Sequence, residues 1–415
     1  MLTLFSTICV ITTIAVCGAV LNEVRAKHLH IWMRGYLQAQ LLRAQGFKQS
    51  AATPLHILFC VVDHFEPIDE ISTSTQEKER MHDWLTRYPL LAKRHKDSDG
   101  RSVQHTWFYP GENYHSEYLD NLVELCQQGL GEIELHLHHG HDTSTSLRAK
   151  FELAIANFGK HGALVTQEIP PRQVYGFIHG NMALDNSMNK PALCGVDNEL
   201  TILRETGCYA DFSMPTAPAI SQTGKVNAVY YATDDPNKPK SHDTGVDVQV
   251  GHLPSGDLMI VQGPLGINWS SRKWGIIPKI ENGELQASNP PAAARIRNWV
   301  QQGIHVKGRP EWVIVKVSCH GAEDRSRDVI LGDEADEMYS ILEQEYRDKP
   351  GSHLHYVTAR ELYNIIKAAE AGLTGNPHAY RNYAIPPYRT HSMIVAPDHP
   401  TISTANRNSV ICDLS

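Results

Sequence analysis

HILFCVVD, residues 56–63, sets six apolar residues in a row between a histidine and an aspartate. The run has strand length and no polar face, so it suits a strand covered on both sides, as in a parallel sheet. WVIVKV, residues 312–317, has the same character. Outward from these two, strands are predicted at 56–63, 102–109, 131–138, 173–179, 209–213, 258–262, 311–318 and 353–357. Helices are predicted at 114–128, 146–161, 198–206, 292–302, 333–347 and 359–371. That alternation implies an α/β fold, either a barrel or a doubly wound sheet. Residues 213–291 interrupt it with many Pro, Gly and Asn, which predicts a long excursion with short β segments. The tail from 376 has no clear period and is expected to wrap the surface or stay without order.

The chain has 415 residues, 41% hydrophobic and 20% charged, a globular composition. Its net charge of −8 comes without a basic run in the body, so nucleic acid is not expected as a partner. Residues 2–21 carry no charge over a length that can span a bilayer as a helix. No Lys or Arg precedes them, as a signal peptide would require, whereas Arg25, Lys27, Arg34, Arg43 and Lys48 follow. A single-pass anchor at 1–22 is expected, with the body in the cytoplasm favoured over the periplasm by the positive-inside rule. A juxtamembrane amphipathic helix is expected within 23–52, a barrel domain at 53–375 and a tail at 376–415. The eight cysteines do not have the spacing of a disulfide framework.

Twenty-three histidines raise the prospect of a metal or acid–base site, and several stand at predicted strand ends. Asp63 and His64 follow the first run, ELHLHHGHD (134–142) ends the third strand, His179 follows VYGFI, and His320 follows VIVKVSC. In an α/β barrel such ends converge on one face. Alternation along ELHLHHGHD puts Glu134, His136 and His138 on one side, with His139 opposite and Gly140 able to turn His141 back. His136 with His138 or His141, plus Asp63 or His64, would satisfy the three-ligand count of an open zinc site. The bland alternative is a polar turn in which Asp142 caps the next helix. His320 suits general acid catalysis. His179, Asn181 and Asp185 in FIHGNMALDNS can line a pocket for a polar substrate, or form a hydrogen-bonded loop.

With these residues in hand, the chain resembles the polysaccharide deacetylase superfamily over about 54–371. VVDHFEP stands where that family has a strand ending in two aspartates. EIELHLHHGHD keeps the Glu132, Ile133 and His136 of its second motif, and VSCHG with His320 matches its late Leu-x-His. LRETGCYADFSMP and TARELYNII resemble further family segments. The resemblance implies a distorted (β/α) barrel and a divalent metal, zinc in the first instance. It also implies deacetylation of an amino sugar or acetylated saccharide, with Asp63 as base and His320 as acid. The departures are His64 in place of the family's metal-binding aspartate, and Gly140 where a second histidine is expected. They leave the second histidine ligand open among His138, His139 and His141. HGNMALDN occupies the region of the family's arginine–proline motif. Two other readings stand beside this one: a saccharide-binding or assembly protein on an inactive barrel, and an amidohydrolase-like metalloenzyme suggested by HLH.

Overall fold

The computed structural model describes residue 18 and residues 22–46, 53–69, 71–168 and 171–388. Its strands are β1 Leu55–His64, β2 His105–Pro110, β3 Gly131–Leu137, β4 Val165–Glu168, β5 Pro171–His179, β6 Cys208–Asp211, β7 Val229–Ala232 and β8 Val246–Asp247. They continue with β9 Leu258–Val261, β10 Gly266–Lys273, β11 Ile277–Glu281, β12 Glu284–Leu285, β13 Trp312–Cys319 and β14 Ser352–Tyr356. The helices are α1 Leu29–Gly46, α2 Ser74–Arg94, α3 Ser116–Gln127, α4 Ser144–Lys160, α5 Glu199–Thr206, α6 Ala293–Gln301, α7 Asp324–Leu331, α8 Asp333–Leu342 and α9 Ala359–Glu370.

One curled sheet has the order β12-β13-β1-β2-β3-β5-β6-β9-β7-β8. From β13 to β9 every neighbouring pair is parallel, as the uninterrupted apolar runs predict. β14 pairs with the first half of β1 and β2 with its second half, so β1 lies at the centre. The architecture is a mixed α/β half-barrel, consistent with the distorted barrel expected. The excursion supplies β7 to β12, including a separate antiparallel hairpin of β10 and β11. Residues 376–388 lie across the domain, where Asn382 and Ile385 accept from Arg360 of α9; the rest of the expected tail, 389–415, lies outside the described residues.

Period-two alternation sorts each central strand between two cores. Ile57, Phe59 and Val61 of β1 face a core shared with α2, α3 and α4. Leu58, Cys60 and Val62 face the concave side, which α9 closes with Leu362, Ile365 and Ile366. Helix α2, which contains Pro89, is absent from the sequence expectations. It forms nevertheless, with a capping box on Thr73 and Met81, Trp84, Tyr88 and Leu91 buried at helical spacing. Among the described residues no helix is long and apolar enough to cross a membrane. The expected anchor at 1–22 lies outside the described residues except for Gly18 and Asn22. All five described cysteines are free and buried, which agrees with the absence of a disulfide framework.

Glu134 shows how this concave side treats a carboxyl. It is buried, accepts from the Tyr209 hydroxyl and the Gly176 amide, and burial pushes its pKa from 4.5 up to about 8. A folded value above the unfolded one means the folded chain binds this proton more tightly. The contribution is therefore present in full below the unfolded value and drains as pH rises toward 8. Glu134→Gln mimics the neutral acid: its carbonyl oxygen can accept from the Gly176 amide while its NH2 donates to the Tyr209 oxygen. Its melting temperature is expected to gain on wild type as pH goes from about 5 to about 8; a constant difference across that window would refute the assignment.

Candidate metal centre

The C-terminal ends of β1, β3 and β13 bring imidazoles together on the concave side. His64 is in phase with Leu58, Cys60 and Val62, and His136 is in phase with Glu132 and Glu134. Their rings lie 4.8 Å apart. His320, in the turn after β13, stacks on His64 at 4.6 Å and 21°. His138 meets His136 edge-on at 4.7 Å. Glu66, two residues past β1, enters from the side, its Oε1 lying 2.7 Å from His136 Nε2 and 3.2 Å from His138 Nε2. The potential ligand atoms of His64, Glu66 and His136 all lie within 4.8 Å of one another.

Hydrogen bonds behind the imidazoles aim them. His136 Nδ1 is 3.0 Å from the Ile178 carbonyl oxygen, which can only accept, so a ring proton is held on Nδ1; Nε2, 2.7 Å from Glu66 Oε1, donates to that carboxylate and is the atom a metal would take in place of its proton. His138 Nδ1 is 2.7 Å from Glu112 Oε1, which also accepts from the His138 amide at 3.0 Å; burial opposes a charge on this ring, but Glu112 and Glu66 prevail and raise its pKa. His64 Nδ1 is buried and has no hydrogen-bond partner among the described residues. Burial, followed by the neighbouring imidazoles of His320, His136 and His138, drives the His64 pKa well down and keeps the ring in its neutral, ligating form. Burial opposes ionisation of Glu66, but the bond to His136 and the nearby imidazoles prevail and lower its pKa. Gly180 permits the arrangement, because a Cβ there would come 2.4 Å from His138 Cδ2. His138 and His320 remain 36% and 30% exposed, so the cluster opens to solvent. The residues fit a divalent metal of the zinc type: a mixed imidazole and carboxylate donor set, a buried orphan nitrogen, and an open side.

Not every expected site residue joins this cluster. Asp63 is in phase with Ile57, Phe59 and Val61, so it faces α2 from behind the strand. Its Oδ2 is 2.9 Å from His105 Nε2, and its Oδ1 accepts from the Gly321 amide at 2.6 Å. It thus holds the turn that carries His320, where a Cβ on Gly321 would come 2.3 Å from Asp63 Oδ2. His141 has a positive φ of 52° and stands exposed, outside the cluster. Glu66 and Glu112 have no role in the sequence expectations. Glu66 sits within the quoted VVDHFEP, and Glu112 lies two residues beyond the end of β2, where a search of strand ends would have found it.

The three expected substrate residues lie elsewhere. His179 is in phase with Tyr175 and Phe177 on the helix-covered face and is fully buried. With His139, Cys194 and Glu199 it forms a second group whose ligand atoms lie within 4.8 Å of each other. His139 spans two carboxylates, Asp142 Oδ2 at 3.2 Å and Glu199 Oε1 at 3.1 Å. His179 Nδ1 accepts from the Asn181 amide at 3.1 Å, which puts the proton on Nε2, the atom facing Glu199 at 3.8 Å. His179 could turn Nε2 to a metal only by giving up either that proton or the bond from Asn181, whereas His136 can do so with its Nδ1 bond intact. The second group, a hydrogen-bonded clasp here, remains a candidate metal site, with His179 Nε2 buried and without a hydrogen bond among the described residues. Asn181 donates to the His139 and Leu193 carbonyls, and Asp185 accepts from the Glu199 and Ser241 amides, so both belong to this clasp.

The chain matches no protein-family model and no curated protein sequence.

Proposed function

We propose that the chain is a metal-dependent hydrolase that removes acetyl groups from an amino sugar or acetylated saccharide in surface polysaccharide metabolism. The observation that carries this reading is the gathering of His64, His136 and His138 around Glu66 at an open strand end, where acceptors hold Nδ1 of His136 and His138 and leave each Nε2 facing the carboxylate as the atom that can exchange its proton for a metal or pass it on. His64, Glu66 and His136 would hold the metal. When bound, a divalent ion lowers the pKa of its water and polarises the acetyl carbonyl. His138, fixed at Nδ1 by Glu112, receives the proton of the attacking water at Nε2, as a base oriented by a carboxylate does. His320, lying against His64, protonates the departing amine or alkoxide. Asp63, the base implied by the family resemblance, instead positions the His320–Gly321 turn in this reading.

The membrane enters the same proposal through residues 2–21, which would tether the body beside lipid-linked or nucleotide-linked sugars on the cytoplasmic side. His320→Ala is expected to lower acetate release from acetylated saccharides by about 10²–10⁴-fold while the metal stays bound. Full activity in that variant would remove His320 from the chemistry. A stoichiometric metal with no acetate release from any acetylated saccharide would favour the inactive, saccharide-binding alternative.

A further inference from the structure

Outside the metal centre, the feature least explained by folding is the tip of the β10–β11 hairpin. Trp269, Trp274 and Ile276 are 63%, 75% and 76% exposed there, whereas Trp32, Trp84, Trp107, Trp299 and Trp312 are buried. Trp274 occupies a turn position with φ of 53°, beside Gly275 at 73°. Such backbone suits Gly, Asn or Asp and is strained for a bulky aromatic residue, so the fold alone gives no reason for tryptophan. Lys273 Nζ lies over the Trp274 ring at 4.5 Å, and the Arg272 guanidinium over the Trp269 ring at 5.9 Å. Apolar rings beside long cationic stems are what an interfacial anchor requires, since the rings enter the headgroup layer while the charges meet lipid phosphates.

Position supplies the second argument. At its root Ile267 and Ile280 pack onto a small core of Trp32, Ala217, Val226 and Leu265, onto which Leu29, Ile31, Met33 and Tyr36 of α1 also pack. At its tip Lys273 Nζ is 2.8 Å from Glu23 Oε1, two residues after the uncharged stretch 2–21. Residues 22–34 and 269–279 together hold six Lys or Arg and one carboxylate, in a chain whose net charge is −8. This is a local positive surface of the kind that anionic lipid attracts.

The geometry points to the β10–β11 tip as a second membrane contact that seats the body on an anionic bilayer beside the tether. The inference rests on reading 2–21 as that tether, and it goes further by fixing which face of the body meets the lipid.

The experiment uses the full-length chain with vesicles of phosphatidylcholine and phosphatidylglycerol, with and without brominated acyl chains. Because five of the seven tryptophans are buried, bromine quenching reports on Trp269 and Trp274. Quenching is expected in the natural chain, together with protection from aqueous acrylamide. It should be lost in Trp269→Phe/Trp274→Phe, which still floats with the vesicles. Flotation without bromine quenching would overturn the hairpin contact and leave the tether standing. Protection from acrylamide without bromine quenching would mean that protein rather than lipid covers the tip, which also overturns it. Failure to float would remove the tether and the hairpin contact together.

Discussion

Replacing His136 by alanine is expected to reduce bound zinc from about one ion per chain to none and acetate release to background. In the proposed centre His136 is the ligand whose loss could not be made good locally. It is fully buried, its tautomer is set by the Ile178 carbonyl, and its Nε2 makes the shortest contact to Glu66. Elemental analysis of the purified chain, beside an acetate assay, is the measurement. Cys194→Ser is the paired control: if His139, His179, Cys194 and Glu199 form a clasp, metal content stays at the natural level in that variant. Metal that survives His136→Ala and disappears with Cys194→Ser would move the centre to the helix-covered face and sink the present assignment.

Arg360→Ala should cost the fold more than any surface change, about 3–5 kcal/mol of unfolding free energy. The guanidinium is buried at the start of α9 and grips Glu132 of β3, with Nη2 at 2.6 Å and Nε at 3.0 Å from Oε1. Its Nη1 donates to the Ile385 carbonyl at 2.9 Å and to Asn382 Oδ1 at 2.9 Å, which fastens the tail across the domain. Removing it leaves the buried Glu132 without its cation, with the Thr358 hydroxyl at 2.6 Å as a neutral partner. Denaturant unfolding tests the magnitude. Glu132→Gln/Arg360→Met removes both charges together and should recover part of the loss, because much of the single-variant cost is the stranded carboxylate. Equal stability of Arg360→Ala and the natural chain would show that the pair carries no net weight.

The residues themselves determined a good deal of this. Runs such as HILFCVVD and WVIVKV could be satisfied only by strands covered on both sides, and each predicted strand is found within three residues of its expected bounds. The clustering of imidazoles at the ends of β1, β3 and β13 was legible for the same reason, since strand ends in a parallel sheet share one edge. Alternation within ELHLHHGHD also separated His136 and His138 from His139 correctly.

What alternation could not supply was which face looks into the concavity. In a strand exposed on one side, polarity marks the faces; in β1 and β5 both faces are apolar, so nothing in the pattern told whether Asp63 or His64 faces the concavity, nor which way His179 points. Only the packing of α2 to α5 against one side assigned Asp63 and His179 to the helix layer and His64 and His136 to the open side. Glu66, Glu112 and the Ile178 carbonyl come from separate segments of the chain. Their action on the imidazoles depends on distances of about one hydrogen bond, which exist only once the strands have been laid side by side.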